Sequence, residues 1–555
     1  MHTPQTCPHH GHGMTRRALL HAGLATSVTL STWPFHPTPT LWAAEAGPPK
    51  RGGILRVRGL DPPHFDPHLT FNVRTHTTLS FVYSKLVRYG VGAGIPPGTF
   101  RIEPDVAERW DMPDDMTYVF HLRHGVHWQN KPPVNGREFV AEDVKFTFDR
   151  FLAEQANPLR YMLEPVDRVE VVDRYTVKFL LKEPYVWLLD VLATSKAMWI
   201  VAREVVEHFG DLKKPESAIG TGPFLLERYE PNVKTVFKRH PAYFLQDQPY
   251  VDGVEWLVLT DPSTGLVMYR TGQLDCGPEG FWAVRQHDLE ALKQSHPHFI
   301  YRDFLSTRSE RIYMRTDRPP FNDVRVRRAL SQAIDRQALI EAVWVRGEPT
   351  GAVPRGLPEW SLPVDQLGAG AKYYQYDPKE ARRLLAEAGF PNGFKTPFHM
   401  TGGAGPDLVD AVQLVQRYLK DVGIEAELKP QEYSAFIATT GSGKFEGLAM
   451  GPGYTPGWEP DSILYGAYAP ETLRNIGHVN DPTLTAMLKE QRHTTNLEAR
   501  KQLIFAIQRY EAEQQYYVNL ACLTITGSHQ PYVKNYAPNA LEEYGMAAAA
   551  LWLDR

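Results

Sequence analysis

The sequence predicts an α/β protein of at least two bodies, and three observations carry that prediction. The first half of the chain reads as short alternating strands separated by turns. In the middle, apolar residues recur at helical spacing. Residues 397–428 then read as strand, helix and strand, the unit that builds a parallel sheet with a right-handed crossover. At about 150 residues per domain, 555 residues allow three or four domains.

Each element has its own signal. Ile54-Leu55-Arg56-Val57 alternates and is broken by Asp61-Pro62-Pro63. Val169-Glu170-Val171-Val172 and Tyr175-Thr176-Val177-Lys178-Phe179 flank Asp173-Arg174, a hairpin. Thr117 to Trp128 also alternates as a strand would. Asn322-Asp323 opens a helix on which Val326, Ala329, Leu330, Ala333 and Ile334 share a face. Asp377-Pro378-Lys379-Glu380 supplies a cap, a proline at the first helical position and an acid at the third, and Gly389 ends that helix. Pro397-Phe398-His399-Met400 is a strand. Val412, Val415, Leu419 and Val422 line one face of a helix stopped by Gly423, and Ile424 to Leu428 is the second strand. Sheets of this kind bind ligands beyond strand ends or between domains.

Composition narrows the function. The chain has 43% hydrophobic and 22% charged residues, enough to bury a core. Sixty Lys and Arg against 64 Asp and Glu leave −4, which offers no bulk attraction for nucleic acid or an anionic membrane. Residues 1–46 read as a twin-arginine export signal: Thr15-Arg16-Arg17-Ala18-Leu19-Leu20, a short apolar stretch, then Ala44-Glu45-Ala46 for cleavage. No segment reaches the length of a membrane span, and no cysteine follows a lipid-attachment sequence. The mature chain is therefore expected to begin near Gly47 and to be free in the periplasm. His2, His9, His10, His12 and Cys7 read either as a metal tract or as an extension upstream of a start at Met14, and cleavage discards them in both cases. Of the remaining cysteines, Cys276 and Cys522 either bridge in an oxidising compartment or stay thiols.

Catalytic motifs are not found. Gly441-Ser442-Gly443-Lys444 has Ala438 where a phosphate loop needs its first glycine and Phe445 where it needs Ser or Thr. His121, His124 and His127 do not share one strand face, so no metal site is read there. Glu459 and Asp461 either present paired carboxylates, as an exported hydrolase would, or solvate a loop. Neither a nucleophile nor a cofactor motif accompanies them, so an enzyme is not expected.

A long series of ordered motifs adds a resemblance. Gly52-Gly53-Ile54-Leu55-Arg56-Val57, Asp66-Pro67-His68, Pro104-Asp105-Val106-Ala107-Glu108-Arg109-Trp110 and Tyr118 to Trp128 come first. Ala141-Glu142-Asp143-Val144, Ile219-Gly220-Thr221-Gly222-Pro223-Phe224, Pro319 to Leu330 and Ala333-Ile334-Asp335-Arg336 follow. Together they resemble the family 5 extracellular solute-binding proteins, the periplasmic components of ATP-driven importers for peptides, nickel, opines and some sugars. The resemblance implies a two-lobed periplasmic-binding-protein fold of the large three-domain type with a hinge. Residues 47–80, 191–300 and 516–555 would form a discontinuous first lobe, 81–190 an extra domain inserted in it, and 301–515 the second lobe. It further implies a monomer that captures a peptide or peptide-like solute between the lobes and delivers it to an ABC transporter permease. A glycoside, oligosaccharide, opine or chelated metal is the alternative cargo.

The ligand-binding residues expected are Tyr454, Trp458 and Glu459, with Tyr433 and Phe65 as further candidates. Peptide-binding members hold the ligand's ammonium with an Asp in a Gly-Trp-x-x-Asp loop; in Gly451 to Asp461 the matching position is Thr455 or Pro456, which carries no charge. Where dipeptide binders place an Arg for the carboxylate, this chain has Thr401-Gly402-Gly403-Ala404-Gly405, glycines that either admit a bulky ligand or make a turn. Free dipeptides are therefore not the expected ligand, because a buried ammonium without a partner is costly.

Overall fold

A computed structural model describes residues 47–196, 198–452, 458–538 and 540–555, all within one compact unit. The export signal read in residues 1–46 and Tyr454 lie outside the described residues.

Three sheets organise the chain. In the first, Ile54–Gly59 turns Leu55 and Val57 inward and pairs in parallel with Gly253–Val258, followed by Lys234–Arg239 and Phe224–Glu230. The second is antiparallel, in the order Ala107–Asp114, Thr117–Leu122, Thr176–Leu181, Val166–Asp173, and its last two strands are the hairpin read from the sequence. The alternation read as far as Trp128 stops being a strand at Leu122, because the chain turns at Gly125, where φ is +70°. The three histidines consequently diverge: His121 meets Asp111 at 2.8 Å, His124 packs on the Tyr175 ring, and His127 bonds the Gly136 carbonyl at 2.9 Å.

The third sheet has eight strands and is built on Tyr517–His529. Phe394–Thr401 and Ile424–Gln431 run parallel at its far side, connected through the helix Pro406–Asp421, which buries Leu408, Ala411, Val412, Val415 and Leu419. The caps read from the sequence are formed. Asp323 accepts from the Arg325 N–H, and Asp377 accepts from the Lys379 and Glu380 N–H groups.

Motif residues tie distant segments of the chain together. Arg150, on the helix Ala141–Ala153, grips the Asp66 carboxylate at 2.6 and 3.3 Å and reaches His68 Nδ1 at 2.6 Å. Buried Arg336 donates to the carbonyls of Asn519, Ser331 and Tyr374 at 2.8 to 3.1 Å. Arg315 clamps Asp317 through two nitrogens and donates to the Phe445 carbonyl at 2.7 Å, holding a loop against its strand.

Cys276 and Cys522 are free thiols. Cys276 bridges to His529, seven residues along the same strand from Cys522, about 23 Å at a strand's rise. A disulfide needs its Cα atoms within about 7 Å. Among the described residues no helix is long and apolar enough to cross a membrane.

Gly220 and Gly222 let the segment 219–224 lie directly on Val82: a Cβ at Gly220 would stand 2.1 Å from the Val82 carbonyl oxygen. Neither partner of that contact is a flexible side-chain end. Gly220→Ala is expected to cost about 3 kcal/mol or more in a denaturant titration. Gly94→Ala, with nothing within 4 Å, should unfold with the parent chain.

Candidate functional site

A cavity lies where segments from the two halves of the chain meet. From the first half come Phe71, Asn72 and Val73, at the start of the short helix Val73–Leu79, together with Lys196. From the second come Arg308, Tyr313, the helix Tyr433–Ala438, the stretch around Gly451, and Arg474 with Ile476.

Local sequence explains how the apolar wall is set. Glu432 caps the helix by accepting from the Ala435 N–H at 3.0 Å, so Tyr433, Phe436 and Ile437, at spacings of three and four, share its cavity face. The glycines at 402–405 make a turn, in which Thr401 Oγ1 accepts from the Gly403 N–H at 3.2 Å. That turn seats the helix: a Cβ on Gly403 would fall 2.6 Å from Tyr433 Cβ, and one on Gly451 would fall 2.4 Å from the Phe436 ring.

The cations are oriented by aromatic faces. The Arg474 guanidinium lies 4.4 Å from the Phe71 ring centre and Arg74 lies 4.7 Å from that of Tyr433, so each contact joins the two halves of the chain. Lys196 Nζ sits 4.5 Å from the Trp458 ring and 3.3 Å from Glu542, whose other oxygen takes Arg308. Burial, opposed by Glu542 and reinforced by Arg308 and Arg474, pulls the Lys196 ammonium down to about 8.

The structure separates the residues expected from sequence. Tyr433 lines the cavity. Trp458 is buried behind Lys196, stacked on Phe100 with 6.1 Å between ring centres. Glu459 is neither on a strand nor in a solvated loop: it caps the helix Pro460–Tyr468, accepting from the Ser462 N–H at 2.9 Å, and is 2% exposed. Asp461, in the first turn of that helix, is held by Gln491, Arg492 and Tyr185. Phe65 is packed edge-on to Tyr229 at 5.1 Å and does not border the cavity. Sequence reasoning missed Phe71, Lys196, Arg308, Tyr313, Phe436 and Arg474. Only Phe436 had a signal, its helical spacing from Tyr433. No Arg stands at 401–405, and the three cations that reach the cavity come from other segments. Among the described residues no group of three His, Cys, Asp or Glu side chains is arranged to hold a metal ion.

Comparison with known proteins gives a consistent set of likenesses. Residues 101–473 match the family described as bacterial extracellular solute-binding proteins, family 5 Middle. Di/tripeptide-binding protein 1 of Pseudomonas aeruginosa is 28% identical over 520 residues, covering 88% of this chain and 90% of that protein. Heme-binding protein A of Haemophilus influenzae is 26% identical over 500 residues, covering 86% and 88%. Among solved structures, the periplasmic binding protein DppA of Helicobacter pylori in complex with the peptide STSA has a TM-score of 0.78 at 24% identity, covering 91% of this chain and 99% of that one. AgaA of A. tumefaciens R10 in complex with agropinic acid has a TM-score of 0.77 at 20% identity, with the same coverage. The fold is thus that of periplasmic binding proteins of this type.

Burial, with Asp190 and Asp461 nearby, raises the Glu459 carboxyl from 4.5 to about 8. Between those values the folded chain keeps a proton that the unfolded chain has lost, so this group's contribution falls as pH climbs from about 4.5 to about 8. Glu459→Gln, which keeps the capping oxygen, should therefore melt above the parent at pH 7.5, and the difference should shrink toward pH 5. Thermal unfolding across that range checks it; a variant that melts lower at pH 7.5 would show the carboxylate to be ionised and stabilising.

Proposed function

The chain belongs to the bacterial extracellular solute-binding proteins of family 5, and from that premise we propose that it captures a peptide or peptide-like small solute in the cavity and delivers it to the permease of an ABC importer. The observation that carries the reading is the cavity itself. Aromatic side chains from both halves of the chain, Phe71 on one side and Tyr313, Tyr433 and Phe436 on the other, line it, as the apolar walls of a small-solute site would. The names of its relatives, among them several di/tripeptide-binding proteins, support a peptide-like cargo.

In this reading residues 1–46 are an export signal carrying Arg16 and Arg17, and the mature monomer works in the periplasm without turning its solute over. Residues 47–80, 191–300 and 516–555 form one lobe, 81–190 an inserted domain and 301–515 the other lobe. The parallel pairing of Ile54–Gly59 with Gly253–Val258 supports grouping the segments that flank 81–190. Tyr433 contacts the solute directly and Trp458 acts through Lys196. Tyr454, Glu459 and Phe65 are kept as candidates for the open form. A solute that prefers the closed arrangement of the two walls shifts the molecule toward it only by its differential affinity.

A thermal-shift screen of the mature chain against dipeptides, longer peptides, oligosaccharides, opines and chelated metals tests the function. A solute at 100 times its Kd should stabilise by about 2.7 kcal/mol. Tyr433→Ala is expected to weaken the best solute at least tenfold, about 1.4 kcal/mol, and Tyr376→Ala, exposed and away from the cavity lining, to leave it unchanged. Binding that survives Tyr433→Ala intact would move the site elsewhere.

A further inference from the structure

Charge around the cavity is one-sided. Lys196, Arg308 and Arg474 line it, and none of its described lining residues is Asp or Glu. Residues 453–457 read Gly-Tyr-Thr-Pro-Gly, and Ala197 and Asn539 are uncharged. Glu542 stands behind the lining with its side chain 4% exposed, and this one acid is shared by Lys196 and Arg308. Glu310, close to Arg308, is half-buried, and desolvation raises its carboxyl to about 7, which weakens it as a counter-charge without removing it. The adjoining cavity shares Val73 and Arg308 and adds Arg74; its Arg58 and Glu279 lie 3.8 Å apart and offset each other, and Glu542 lines it beside Arg308.

Resting on the reading that the protein captures a peptide-like solute, we propose that the cavity selects an anion. The solute carries two carboxylates and no positive charge, its acid groups meet Arg308, Arg474 and Lys196, and its apolar part lies against Phe71, Tyr433 and Phe436.

Geometry and electrostatics both favour this. The contact of the Arg474 guanidinium with the Phe71 ring, 4.4 Å to its centre, fixes its direction. Lys196 is held over Trp458 in the same way as a compact point charge. Arg308 and Arg474 repel the Lys196 ammonium strongly enough to help lower its proton affinity, which places all three charges within mutual range. In a site of reduced dielectric an arriving anion relieves that repulsion, whereas an arriving ammonium adds to it. The selected solute is therefore one whose amino group is acylated or absent, with a second acid beyond the terminal carboxylate.

The test uses four probes on one backbone, titrated calorimetrically into the mature chain. They are N-acetyl-Glu-Phe, a dianion; N-acetyl-Gln-Phe amide, its neutral likeness; the free dipeptide Ala-Phe, a zwitterion; and Lys-Phe amide, a cation. The dianion should bind at least 100-fold more tightly than the neutral probe, with the cation weakest. Arg474→Gln should cut that preference at least tenfold, and Arg308→Gln should do the same where it folds. Equal binding of the dianion and the neutral or zwitterionic probe would overturn anion selection and leave the peptide-like reading standing. Failure of all four would overturn both. A dianion preference untouched by either Gln variant would overturn the assignment of these cations.

Discussion

The strand Tyr517–His529 hydrogen-bonds along its length to four others: Ala283–Val284, Ile300–Leu305, Glu310–Met314 and Gly347–Pro349. Ten of its thirteen residues are buried, and the partly exposed ones, Leu523, Thr524 and Ile525, fall where pairing passes from one neighbour to the next. Because both Arg308 and Tyr313 lie on or beside strands paired to it, this strand fixes the cavity wall contributed by the second half. Arg336 on the Asn519 carbonyl and Arg327 on the Gln514 carbonyl pin its entry. After the strand the chain runs on to Glu542 and Glu543, which pair with Lys196 and Lys85 of the first half. One continuous run of backbone thus ties together the two sides of the site.

The cavity is built from few degrees of freedom. Each cation that reaches or borders it is stacked on a ring or paired with a buried acid, so little side-chain entropy remains to be lost when a solute arrives. The same economy explains the glycines at 403 and 451, whose missing side chains let the turn and the strand end touch Tyr433 and Phe436 directly. Affinity in such a site depends on charge pattern more than on new contacts.

Much of the fold was legible in the sequence because the signals were local. Asp377-Pro378 writes its own helix start, the 166–181 hairpin its own alternation, and the strand, helix and strand over 394–431 its own period. The reading overran at Leu122, where one glycine ended a strand that alternation alone would have continued. The site was much less legible. Tyr433 could be proposed as an aromatic suited to line a cleft, but Lys196, Arg308 and Arg474 lie in unrelated segments and become neighbours only when the chain closes. Glu459 and Trp458 looked like binding groups because their types suit a ligand. Burial makes one a helix cap and the other a support for a lysine, a difference that spacing cannot encode.

The central claim is that one solute lies between walls drawn from both halves of the chain. The most direct measurement is a crystal structure of the mature protein with its tightest-binding solute. The account predicts density enclosed between Phe71 and Tyr433, with an acid group within hydrogen-bond distance of Arg308, Arg474 or Lys196. Density instead in the open groove lined by Gln413, Arg417 and Leu428, with the space beside Tyr433 filled only by water, would contradict it.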